Sequence, residues 1–135
     1  MNSHQKSTLR NRLFRHLDGI AIAPTAYTLK KHGVTDFLLQ NNKVELKDLA
    51  TKFKANEGYL NVALRGLCSQ GWLLQHVDNQ NNTVVYETNE NSQIAFNYFY
   101  LYEDVVDLLK MSEYFHHRKF EITPFLKLEG IYKKF

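Results

Sequence analysis

Along most of this chain the apolar residues recur at helical spacing, and only two short stretches alternate in the manner of strands. Leu9, Leu13, Leu17 and Ile20 follow one another at steps of four, four and three, which places them on one helix face. Arg10, Arg12 and Arg15 fall off that stripe, Ser7 is placed to cap the helix, and Gly19 weakens it near its end. Pro24 and Thr25 are expected to open a second helix over 26–32. Gly33 stands where a left-handed cap belongs, behind Lys30, Lys31 and His32 at the negative helix end. Residues 34–39 read as a further short helix stopped by Asn41 and Asn42.

Val44 is expected to form a short strand. Leu46, Leu49, Ala50 and Phe53 then make the inner face of a helix closed at Asn56, a residue that tolerates the left-handed turn. From Gly58, the residues Tyr59 or Leu60, Ala63, Leu64 and Leu67 give the inner face of a second helix ending at Gly71. Residues 72–76 and 83–88 are expected to pair as a hairpin with the polar tip 78–82. Helix, turn, helix, strand, loop, strand is the order of a winged helix. Ser92 is positioned to cap a long helix over roughly 93–115. Tyr98, Leu101, Tyr102, Val105, Leu108 and Leu109 share one face of it, and Phe96, Phe99, Tyr100, Val106, Met111 and Tyr114 are spread around the rest. A helix apolar nearly all round must be covered on more than one side, which implies an assembly. The expected fold is mostly α with a small β-hairpin, a winged helix-turn-helix with flanking N- and C-terminal helices. It forms one domain over 1–135: N-terminal helices at 1–45, helix-turn-helix and wing at 46–88, and C-terminal helices at 89–135. Phe125, Leu126, Leu128, Ile131, Tyr132 and Phe135 keep the ending apolar, as if it led into a downstream domain absent from this sequence.

Composition adds limits. With 44% apolar and 23% charged residues the chain is globular, and a net charge of +3 is too small to argue for nucleic acid by itself. A single cysteine, Cys68, excludes a disulfide framework or a cysteine-based zinc site within one chain. There is no apolar leader and no run of membrane-spanning length, so a cytoplasmic protein with no membrane partner is expected. The placement of charge matters more than its sum. The second helix of the helix-turn-helix has Arg65 as its one basic residue and Glu57 at its N-terminal end. The wing tip, DNQNN, carries one acid and no Lys or Arg. Phosphate contacts supply most of the affinity for DNA, so this surface is poorly equipped for it. Lys43, Lys47, Lys52 and Lys54 lie on or beside the first helix, partly offset by Glu45 and Asp48. Asn56, Asn61 and Gln70 keep base-edge reading open.

Catalytic chemistry finds no anchor. The six histidines have no metal-ligand spacing, Cys68 reads as a buried structural thiol, and the carboxylates at Asp18, Asp36, Glu103, Asp104, Asp107 and Glu113 read as surface. No glycine-rich dinucleotide loop, phosphate loop or nucleophile elbow occurs. No catalytic, cofactor-binding or metal residue is therefore expected.

The segment HLDGIAIAPTAYTLKKHGVTDFL, followed by VELKDLATKFKANEGYLNVALRGLCSQGWL, resembles the N-terminal winged-helix domain of class I S-adenosylmethionine-dependent methyltransferases, O-methyltransferase type. The likeness rests on Gly33-Val34, on the Leu-x-x-Leu-Ala helix at 46–50 and on the Leu-Arg-x-Leu…Gly-Trp-Leu step at 64–73, and it spans roughly 15–88. The resemblance implies a domain that dimerises and forms part of a lid over a small-molecule acceptor, while a downstream domain holds S-adenosylmethionine. The cofactor's glycine-rich loop does not occur here, so this chain alone is expected to be non-catalytic. Leu9, Leu13 and Leu17 are the candidates for homodimerisation. Tyr98, Phe99, Tyr102, Met111, Tyr114 and Phe115 are the candidates for the surface meeting substrate or the catalytic domain. The alternatives are a winged-helix DNA-binding transcription regulator, with DNA the less expected partner, and a scaffold piece within a multidomain protein.

Overall fold

The computed structural model describes residues 2–104, 129, 130 and 133. Helix α1 (Ser3–Lys31) is one continuous element of 29 residues, where the sequence suggested a break at Pro24. It starts earlier than Ser7. The Asn2 side chain accepts from the Gln5 amide at 2.8 Å, and the Asn2 amide donates to Gln5 Oε1 at 2.9 Å. Pro24 removes the bond to the Ile20 carbonyl, but Ile20 is exposed, so water can meet that oxygen. Ala23, Ala26 and Leu29 are buried on the other side and hold the helix in line across the proline. Packing here overrides the local signal for a helix start.

Gly33, at φ 80°, turns the chain into α2 (Val34–Asn41), as its position predicted. Strand β1 (Lys43–Glu45) leads directly into α3 (Leu46–Phe53), which ends at Lys54 rather than Asn56. Lys54 takes the left-handed conformation, φ 50°. Asn56 instead caps α4 (Glu57–Ser69), its side chain accepting from the Tyr59 amide at 2.9 Å. A short amide serves an N-cap better than most side chains, which explains the exchange of roles. Leu60 is buried and Tyr59 points outward, which resolves the alternative left open by periodicity.

Strands β2 (Leu74–Asp78) and β3 (Thr83–Glu87) form the wing, and β1 adds to β3 to give a three-stranded antiparallel sheet in the order β1-β3-β2. In register, Val44 and Gln75 both face Tyr86. Strand β2 begins at Leu74 rather than Trp72 because the Trp72 amide is still engaged in closing α4, donating to the Leu67 carbonyl at 3.1 Å. Helix α5 (Ser92–Tyr98) gives way to a 3-10 turn (Phe99–Tyr102), so the uninterrupted helix expected from 93 onward is corrected at Phe99. Ser92 is not the cap. It is buried, its hydroxyl donates to the Trp72 carbonyl at 2.6 Å and accepts from the Asn89 amide at 2.8 Å, and it ties α5 to the start of the wing.

The core sits where α2, α3, α4, the sheet and α5 converge. Its largest fully buried side chains include Leu38, Leu49, Leu64, Leu67, Leu73, Tyr86, Phe96 and Phe99. Among the described residues the Thr35 hydroxyl is the buried side-chain oxygen with no hydrogen-bond partner. Leaving a hydroxyl unpaired in the interior costs about 1–3 kcal/mol. Thr35→Val is therefore expected to raise the urea midpoint, and an unchanged or lower midpoint would show that a water reaches the oxygen.

Candidate functional site

Three surfaces of the winged helix could meet a partner. The first is the outer face of α4 with the wing, the surface a DNA reader inserts. On α4 the exposed large hydrophobic side chains are Tyr59 at 80% and Val62 at 68%, with Glu57 in the first turn and Arg65 exposed further along. Two residues that could have read bases are occupied. Asn56 caps α4, and Asn61 turns inward, its side-chain oxygen accepting from the Tyr86 hydroxyl. Gln75 Nε2 donates to the same hydroxyl at 2.8 Å. Tyr86 thus pins the wing to α4.

Burial pushes the Tyr86 hydroxyl up to about 12. An unfolded tyrosine ionises near 10. Because the folded value is the higher one, this group's stabilisation is complete below about pH 10 and is lost as pH rises toward 12. Tyr86→Phe is expected to cost about 1–2 kcal/mol at neutral pH. It should also flatten the fall in stability from about pH 10 upward, read as the difference in urea midpoints from the parent. Parallel pH curves would mean that the hydroxyl is not held in this way.

At the wing tip Asp78 Oδ1 accepts from the amides of Gln80 (2.9 Å) and Asn81 (3.2 Å), and Oδ2 accepts from Asn81 Nδ2 at 2.7 Å. The Asn81 side chain and then these amides hold the Asp78 carboxyl below its usual range. The tip therefore keeps a negative charge at neutral pH.

The second surface is the N-terminal half of α1. Leu9, Leu13 and Leu17, with Phe14 and Ile20, are each about half-exposed. Every described residue from Asn2 to Ala21 is exposed, and burial of the helix begins only after that. A 29-residue helix is about 43 Å long. The α1 stripe therefore lies on the exposed part of the helix, ahead of its buried residues.

The third surface is built on α5 and the 3-10 turn. Tyr98 is exposed. Phe99 is fully buried, its ring 5.3 Å from both Trp72 and Phe96 and stacked 5.9 Å from Tyr102. Tyr102 is half-buried and lines a cavity of about 360 Å³ with Ile22, Ala23, Trp72 and Arg15, and burial raises its hydroxyl. Tyr27 donates to Glu103 Oε1 at 3.0 Å beside it. The structure brings Phe99 and Tyr102 together and sets Tyr98 apart on the surface. Met111, Tyr114 and Phe115 lie outside the described residues.

Cys68 is half-buried, and burial raises its thiol, which keeps it protonated at neutral pH. No described group of three or more His, Cys, Asp or Glu side chains is arranged to hold a metal ion, and no described helix is long and apolar enough to cross a membrane. Sequence reasoning missed Tyr59 and Val62 as exposed. The signal was there in the period of α4, which puts Val62 opposite Leu60, Ala63 and Leu67 and leaves Tyr59 at the margin of that inner face.

No curated protein matches the chain. Among solved structures, the YusO protein from Bacillus subtilis is 10% identical over 99% of this chain and 96% of that one, with a TM-score of 0.45. A mutant MarR from E. coli is 14% identical over 99% and 96%, with a TM-score of 0.46. The transcriptional regulator BldR from Sulfolobus solfataricus is 12% identical over 99% and 97%, with a TM-score of 0.45. A family model described as the AprA N-terminal domain matches residues 9–75, the stretch from the α1 stripe through the helix-turn-helix to the first residues of the wing, and over that stretch the chain is similar to this family.

Proposed function

We propose that this chain is a winged-helix docking module: the non-catalytic dimerisation and substrate-lid domain of an S-adenosylmethionine-dependent methyltransferase whose catalytic domain is a separate unit. The observation that carries the reading is the outer face of α4. Where a DNA reader needs cations, this helix presents Tyr59 and Val62, and the wing tip presents Asp78. An apolar α4 face and an apolar α1 stripe suit protein contacts better than phosphate. The similarity of residues 9–75 to a domain described as N-terminal is consistent with a module that works beside another domain. In this reading Leu9, Leu13 and Leu17 pair with a second copy, and Tyr98 and Tyr102 face the acceptor or the catalytic domain. S-adenosylmethionine is bound by the other domain. In the complete enzyme, Tyr102→Ala is expected to raise KM for the acceptor several-fold and to leave KM for S-adenosylmethionine unchanged. An acceptor KM that does not move removes the lid role.

A second reading, a winged-helix DNA-binding regulator, is favoured by the helix-turn-helix and wing themselves, with Lys47, Lys52, Lys54 and Arg65 as the cations on hand. Fluorescence anisotropy with DNA duplexes at low and physiological salt separates the two. The docking reading expects affinity no better than the ~10⁻⁴ to 10⁻⁶ M of non-specific association. Tight binding with a steep salt slope, weakened by Arg65→Ala, would establish the regulator instead.

A further inference from the structure

A groove of about 640 Å³ lies between the C-terminal half of α1 and the α3–α4 turn, on a part of the molecule used by none of the three surfaces above except at Tyr59. Its volume is that of a small-molecule site. Pro24, Leu29, Phe53, Tyr59, Leu60 and Ala63 supply an apolar lining. The charged and titratable groups among the lining residues are His32, Lys52, Lys54 and the Tyr59 phenol, with no carboxylate. Lys52 Nζ stands 4.7 Å from the ring centroid of Phe37, beside the groove, and 5.9 Å from that of Phe53, which lines it. Two nearby acids are otherwise placed: Asp36 is paired with Lys30 at 2.6 Å, and Glu57 is exposed and not part of the lining.

Lys54 adds an independent observation. It holds φ at 50°, in the left-handed region, at the end of α3. Glycine or asparagine fills that position without the penalty a long side chain brings. Backbone strain at the mouth of a groove is more readily understood if the side chain that causes it is needed there. Lys54 is the second lysine of the lining, two residues along from Lys52.

We propose that this groove binds an amphipathic organic anion, with an aromatic or aliphatic body lying along Leu29, Phe53, Tyr59 and Leu60 and a carboxylate, sulfonate or phosphate head between Lys52 and Lys54. The apolar lining alone would accept a neutral body equally well. The cation pair without a lining carboxylate is what selects the anion. The site is independent of methyl transfer and of the α1 stripe, so it stands or falls apart from the docking role.

The test uses two probes with similar bodies, 8-anilinonaphthalene-1-sulfonate and the neutral N-phenyl-1-naphthylamine, titrated by fluorescence and followed by amide chemical shifts. The expected result is that the sulfonate binds about tenfold more tightly than the neutral probe, with shifts concentrated at 24–34 and 52–63. Lys52→Met and Lys54→Gly are each expected to weaken the sulfonate about fivefold or more and to leave the neutral probe alone. Lys54→Gly is chosen because glycine suits the left-handed turn, so it should melt no lower than the parent and the loss of binding cannot be assigned to unfolding. Equal affinity for the two probes, shifts confined to 9–20, or undiminished sulfonate binding by Lys54→Gly would each overturn the proposal.

Discussion

Leu64→Ala is expected to lower the free energy of unfolding by about 3–4 kcal/mol, and the melting temperature by roughly 10 °C for a chain of this size. Leu64 is fully buried on the inner face of α4, in the cluster that joins α4 to α3, α2 and the sheet through Leu49, Leu38 and Tyr86. Removing its isobutyl group loses the transfer energy of the buried carbons. It also leaves a cavity that the neighbours cannot all fill, because they come from separate elements. Val62→Ala on the same helix is the control. Val62 is exposed, and alanine is the better helix former, so its effect should stay within about 0.5 kcal/mol. Urea unfolding of the three proteins side by side decides it. A loss below about 1 kcal/mol for Leu64→Ala would mean that α4 is not packed as described.

Replacing two members of the α1 stripe, Leu13→Glu with Leu17→Glu, is expected to weaken self-association by at least about 100-fold, since each buried leucine contributes roughly 1.5–3 kcal/mol. Both residues are already half in solvent in the single chain, so the fold should keep its melting temperature. The arrangement of charge sharpens the test. Lys6, Arg10, Arg12 and Arg15 stand against Asp18 alone between residues 3 and 20, so two copies of this segment repel each other across their polar faces. Added glutamates would relieve part of that repulsion while removing the apolar contact. Weaker association in the double variant therefore identifies burial as the driving term. Sedimentation equilibrium across a range of concentrations gives the answer. A parent chain that stays monomeric at the highest concentration, or a variant that associates as well as the parent, removes these leucines from the dimer interface.

The helix-turn-helix was legible because its signals are local. Leu46, Leu49 and Ala50, then Leu60, Ala63, Leu64 and Leu67, repeat with the period of a helix buried on one side, and all seven are buried in the structure. Gly33 and Gly71 mark turns by the same kind of local necessity, both at positive φ. The departures come from contacts distant in sequence. Nothing near Pro24 says that Ala23, Ala26 and Leu29 will be held from outside strongly enough to carry a helix through it. Nothing near Ser92 says that its hydroxyl will reach the Trp72 carbonyl, and nothing near Phe99 says that the backbone will tighten where the Phe99 ring seats against Trp72 and Phe96. At the turn between α3 and α4, periodicity could see that the chain reverses but not which of Lys54 and Asn56 takes the left-handed conformation, because Asn56 had two possible uses. The groove was invisible for a related reason. Pro24, Lys52 and Lys54 meet only once α1 runs past the helix-turn-helix.

The continuity of α1 gives one polypeptide element two unequal lives. Around the buried Ala23, Ala26 and Leu29, in a helix that packs on α4 and the 3-10 turn, its peptide hydrogens should exchange with solvent deuterium only when the domain opens as a whole. From Ser3 to Phe14, ahead of the cavity that Arg15 lines with Trp72 and Tyr102, the same hydrogen-bond ladder belongs to exposed residues, at a length where an isolated helix is marginal. Its deuterium uptake should therefore follow helix fraying and be far faster. Pro24, which has no amide hydrogen, falls within the slower stretch. A partner laid along the stripe would have to bear the cost of stilling the first half, and its arrival would be visible as slowed exchange there before any other part of the chain responded.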